Sequence, residues 1–163
     1  SIVEAADVTK PTLYHYFGNK EGLLNALLET YFTQFFAEVE PAIDYHGDLP
    51  LTLEKVATAY FDFATRAPVF YRMHLAMRLA PAHSTPFQAV SPYIKRQRRL
   101  LEHLFIQAAQ DHGNMRGRHR AYAATFLGML NTYITLSLAH ASVVLDEELV
   151  YRAVHQFMHG IFS

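Results

Sequence analysis

The sequence predicts an all-α protein, and three observations predict it. Nearly every segment repeats its apolar residues at intervals of three and four. The breaks between segments fall at proline and glycine. No stretch of useful length alternates polar and apolar residues as a strand would. Apolar residues make up 51% of the 163 positions, including 12 Phe and 10 Tyr, which is enough for a sizeable core.

Taken in order, Ser1 to Ala6 reads as the end of a helix, so a further segment is expected upstream of Ser1. Asp7 and Val8 make a tight turn. Thr9 is a good N-cap, and Pro11 suits a first turn, where its missing N–H costs nothing. This short helix runs to about Phe17; Gly18 ends it and Asn19 caps the next. From Lys20 to about Glu40 the apolar positions are Leu23, Leu24, Leu27, Leu28, Tyr31, Phe32, Phe35, Phe36 and Val39, a wide stripe at helical spacing. Such a helix is about 30 Å long at 1.5 Å per residue. Pro41 to Pro50 reads as a loop. Helices then follow at Leu51 to Arg66, Pro68 to about Leu79, and Pro86 to His112 with an interruption at Pro92. Two more run from Arg118 to Ser142 and from Asp146 to Phe162.

Composition narrows the function. The absence of cysteine removes disulfides, thiol catalysis and cysteine zinc sites, and suits a reducing cytoplasm. No apolar run approaches the roughly 20 residues needed to cross a bilayer, so no membrane partner is expected. The formal net charge is −1, so any nucleic-acid function must rest on a local site. Even the first twenty residues set Lys10 and Lys20 against Glu4 and Asp7.

Residues 1 to 20 have the plan of a helix-turn-helix unit: helix, tight turn, short helix, capped long helix. At 100° per residue Leu13 and Phe17 share one face of the short helix, over Val3, Ala6 and Val8. The other face presents Pro11, Thr12 and His15, flanked by Tyr14 and Tyr16. That outward set is small or hydrogen-bonding, as entry into a major groove about 12 Å wide requires.

The run from Ala5 to Leu24, with Thr9-Lys10-Pro11-Thr12-Leu13-Tyr14-His15-Tyr16-Phe17-Gly18-Asn19-Lys20-Glu21 at its centre, resembles the DNA-binding signature of the TetR family of regulators. The resemblance implies a helix-turn-helix head, here without its first helix, over residues 1–40 with the connecting helix. Behind it, residues 41–163 would form a helical ligand-binding and dimerisation domain. It also implies that Lys10, Pro11, Thr12 and His15 face base edges, that Tyr14, Tyr16 and Lys20 contact phosphates, and that Thr9 belongs to the same DNA-binding surface. The expected function is a cytoplasmic, homodimeric repressor. Its grip on double-stranded operator DNA would be relieved by a small apolar or aromatic effector.

In the body, the stretch from 119 to 142 is apolar on most sides. One face carries Tyr122, Phe126, Met129, Leu130 and Tyr133, and another Leu127, Ile134, Leu138 and Ala141. With Val154 and Met158 of the final helix, Leu127, Ile134 and Leu138 are expected in a four-helix interface between two copies. The effector is expected among Tyr60, Phe61, Phe63, Phe70, His74, Met77, Tyr122, Phe126 and Met129, an aromatic and polarizable set with a few polar tips.

Other signals carry less. His155 and His159 have an i, i+4 spacing but no evident third ligand, so no metal and no cofactor are expected. The basic runs Lys95, Arg96, Arg98, Arg99 and Arg116, Arg118, Arg120 read as solvated helix faces, with DNA or an acidic partner as the alternative. No nucleophile elbow, phosphate-binding glycine loop or dinucleotide fingerprint occurs, so the chain is not expected to be an enzyme. The competing reading is an all-helical binding or enzymatic module, with haem or metal, in which the N-terminal motif is only structural.

Overall fold

The computed structural model describes residues 20–162, and those residues are all-α, without a strand. Six helices follow one another: α1 Lys20–Ala42, α2 Leu49–Arg66, α3 Pro68–Arg78, α4 Thr85–Asp111, α5 His119–Ala139 and α6 Glu147–His159. Short 3₁₀ turns occupy Gly113–Met115 and Gly160–Phe162. Three starts are capped by a side chain. Asp48 accepts from the Leu51 N–H at 3.0 Å, Ser84 from Phe87 at 3.3 Å, and Asp146 from Leu149 at 2.9 Å. Each occupies one of the donors that a helix start leaves open. Gly47, at φ 89°, turns the chain into the Asp48 cap through a region where a side chain would be strained.

Two prolines act differently from the sequence expectation. Pro41 lies inside the last turn of α1, and Pro92 lies inside an unbroken α4. A proline inside a helix removes one i→i−4 hydrogen bond and crowds the preceding turn, at a cost of about 3 kcal/mol that packing must offset. Here Val90 and Ile94 are buried on either side of Pro92, and Tyr93 stacks on Phe32, so tertiary packing carries the helix through.

The layers follow from which faces are apolar. α1 packs on α2 and α4, α3 on α4, α5 on α4 and α2, and α6 on α2. α1 is buried at Leu23, Leu24, Leu28, Phe32, Phe35, Phe36 and Val39, so the stripe read from the sequence faces the body along almost the whole helix. Across the outside of this seam Arg66 pairs with Glu38 and Arg96 with Glu40, and the Arg96 guanidinium lies 4.0 Å from the centre of the Phe36 ring. No described helix is long and apolar enough to cross a membrane.

Three of the residues expected in an interface between copies belong to the core of the single chain. Leu127, Ile134 and Val154 are buried within the single chain, because α5 packs on α4 and α6 on α2. Leu138 and Met158 are half-buried. The exposed side of α5 carries Ala121, Ala124, Thr125, Thr132, Thr135 and Leu136, and that of α6 carries Tyr151, Arg152, His155 and Gln156.

Candidate functional site

Of the residues expected to meet DNA, Lys20 is described: it is the exposed first residue of α1. Thr9, Lys10, Pro11, Thr12, Tyr14, His15 and Tyr16 lie outside the described residues, as does the Asn19 cap.

The second candidate site is the aromatic seam where α1 meets α3 and α4. Tyr31 of α1 stacks on Phe70 of α3, with centroids 4.5 Å apart and planes 12° from parallel. Phe32 stacks on Tyr93 of α4 at 4.4 Å and 7°. Phe32 also meets Phe70 and His74 edge-on, at 5.3 and 5.5 Å. Phe35 continues the seam toward Tyr60 and Phe63 of α2. Offset and edge-to-face pairs of this kind add about 0.5–1.5 kcal/mol each beyond the area they bury.

Polar groups are embedded in this seam, and nearly all find one another. The buried Tyr60 hydroxyl donates to Gln97 Oε1 at 2.9 Å, and the buried Tyr71 hydroxyl donates to Asn131 Oδ1 at 2.6 Å. Burial pushes both phenols well above their ordinary range, so both stay protonated. His74 is the exception. It is 3% exposed, sits against Phe32, Phe70 and Tyr71, and its Nδ1 has no hydrogen-bond partner. That nitrogen is the one orphaned buried side-chain polar atom among the described residues. Burial lowers the His74 pKa to about 3; the nearby carbonyls of Phe70 and Tyr71 oppose the shift and the charge of Arg78 adds to it. The ring is therefore neutral at pH 7. It offers one unused donor or acceptor inside an apolar cage, which is the chemistry that orients a largely apolar ligand.

The expected effector residues thus fall into two ring groups. Tyr60, Phe63, Phe70 and His74 come together at the seam. Tyr122 and Phe126 pack instead with Phe105 and Phe157 between α4, α5 and α6. Phe61 and Met77 are buried in the common core and Met129 is half-buried against it. The rings at the seam touch, so a ligand there would have to part them.

Sequence reasoning passed over Tyr31, Phe32, Tyr71, Tyr93, Gln97 and Asn131 as site residues. A signal for Gln97 is present: Ile94, Gln97, Leu101, Leu104 and Ala108 form one buried stripe on α4. A polar residue on the apolar stripe of a helix marks an internal hydrogen bond. His155 and His159 lie with ring centres 4.6 Å apart, and no group of three candidate metal ligands occurs among the described residues.

Residues 1–27 match the family described as bacterial regulatory proteins, tetR family. In fold the chain is similar to three solved regulators. The fatty acid degradation regulator FadR from Bacillus halodurans is 18% identical, with a TM-score of 0.76 over 98% of this chain and 86% of that one. FadR from Bacillus subtilis, solved in complex with stearoyl-CoA, is 20% identical, with a TM-score of 0.77 over 98% and 86%. PfmR from Thermus thermophilus, a TetR family transcriptional regulator, is 19% identical, with a TM-score of 0.71 over 99% and 88%. No curated protein sequence matches the chain.

Proposed function

We propose that this chain, a TetR-type transcriptional regulator in its N-terminal segment and in its fold, is a homodimeric repressor that reads operator DNA with residues 9–20 and is released by a small, largely apolar effector. The observation that carries the reading is the direct stacking of α1 on the seam around His74. The helix that begins inside the matched segment is also one wall of the aromatic and polar cluster around His74. A ligand that reaches the His74 Nδ1 must part Tyr31 and Phe32 from Phe70 and Tyr93, which tilts α1.

Tilting α1 changes the distance between two reading helices, which must enter major grooves about 34 Å apart. Such a ligand binds the tilted state better and DNA the untilted one. That difference in affinity is the coupling between the two sites. An apolar effector is supported by the stearoyl-CoA held by the Bacillus subtilis regulator of similar fold. The burial of α1 against α2 and α4 favours a boundary between head and body close to Lys20, rather than at residue 40. For the second copy, the exposed face of α5 around Thr132 and Leu136 and the exposed Tyr151 of α6 are the surfaces the chain offers.

The test is salt-dependent binding of the full chain to a palindromic operator. Replacing Lys20 with alanine should reduce the slope of log K against log salt by about 1, as the loss of one phosphate contact requires. If Lys20→Ala and Tyr14→Ala both leave affinity and slope unchanged, the DNA-contact assignment fails.

A further inference from the structure

Members of two basic runs that look like solvated helix faces in the sequence, Lys95, Arg98 and Arg99 from the first and Arg120 from the second, meet at one groove. Its walls are Arg78 at the end of α3, Lys95, Arg98 and Arg99 on α4, and Arg120 in the first turn of α5. Ile94, Ala124 and Leu127 form its apolar part, and Glu102 is the only carboxylate in it. The volume is about 650 Å³, within the range of small-molecule sites.

Arg66, Arg96 and Arg152 each reach a carboxylate within 4 Å. None of the five groove cations has such a partner among the described residues. Five like charges brought together from three helices repel one another, and Glu102 is the one carboxylate set against them in the groove. α5 adds to the positive field, because its start at Arg118 and His119 carries no side-chain cap. Guanidinium groups present planar forks that match phosphate oxygens in pairs, and four of the five cations are arginines.

We propose that this groove is a binding site for an organic di- or polyphosphate, with Arg98, Arg99 and Arg120 on the phosphate oxygens and Arg78 and Lys95 at the ends. Glu102, half-buried at the wall, accepts from a hydroxyl or amine of the organic part. The proposal stands on these residues alone and holds whether or not residues 9–20 bind DNA. Arg78 also links the groove to the seam. It lies one helical turn beyond His74, and its charge is felt at His74, Tyr60 and Tyr71. An anion seated on Arg78 therefore acts on the same cluster that holds α1.

The experiment is isothermal titration of the full chain with inorganic pyrophosphate at low salt, and with ADP in parallel. Saturable binding of about one anion per chain is expected. It should weaken at least tenfold in Arg98→Gln/Arg120→Gln and stay unchanged in Arg152→Gln, which removes an exposed arginine on α6 outside the groove. Circular dichroism melting confirms that each variant is folded. Three results would overturn the proposal: no saturable binding, equal affinity in the groove variant, or equal competition by sulfate at matched ionic strength. Random-sequence duplex DNA that binds the wild type more tightly than ADP, and loses that binding in the groove variant, would overturn it in favour of a nucleic-acid surface.

Discussion

Acidification from pH 6.5 to 5 should destabilise the protein by about 2 kcal/mol through His74 alone. The folded pKa is about 3, and an unfolded histidine titrates near 6.5. Between those values the unfolded chain takes up a proton that the folded chain refuses, so stability falls as pH falls and is fully present above about 6.5. Each pH unit in the window is worth about 1.4 kcal/mol, and the 1.5 units from 6.5 to 5 give about 2 kcal/mol. For a chain of this size that corresponds to a drop of roughly 4–8 °C in melting temperature. The assay is urea unfolding followed by circular dichroism at pH 7.5, 6.5, 5.5 and 5.0, for the wild type and His74→Phe. Phe suits the site, since three of the ring's neighbours are aromatic. Any constant packing cost of the substitution cancels, because only the change in the difference with pH is read. The stability gap should shift by about 2 kcal/mol in favour of the variant between pH 6.5 and 5. A gap that stays flat across the series would refute a buried, neutral His74, and with it the unsatisfied polar centre of the seam.

Phe32 meets five other rings and is 1% exposed, so Phe32→Ala should cost about 3–5 kcal/mol in chemical unfolding. Tyr71→Phe strands the buried Asn131 Oδ1 and should cost about 1–3 kcal/mol; adding Asn131→Leu should recover part of that loss, a non-additivity that a double-mutant cycle measures.

Much of the architecture is readable without coordinates, for identifiable reasons. Pro50, Pro68 and Pro86 all sit in first turns, and Asp146 caps α6 at the start that the sequence predicts. These are local signals, decided by backbone chemistry within a few residues. Pro41 and Pro92 mislead a sequence reading because their fate is decided by packing, and Tyr93 finds its partner 61 positions earlier in the chain, on Phe32. The same limit applies to the site. Periodicity says that Phe70, His74 and Met77 share an inward face, but not that Tyr31 and Phe32 lie against that face. Nor can it pair Tyr71 with Asn131, which are 60 residues apart. The residues expected at an interface meet a related limit. An apolar helix face reads alike whether it covers its own chain or a second one, and Ile134 and Val154 cover their own. The converging arginines are visible as two runs, but only the fold brings Arg120 beside Arg98.

The central claim is that the chain selects a DNA sequence. The most direct measurement is enrichment of a random duplex library on the full protein over several rounds, followed by sequencing. A palindromic motif with half-sites one helical turn or a multiple of it apart is the predicted result. A pool that stays random after repeated selection would contradict the account.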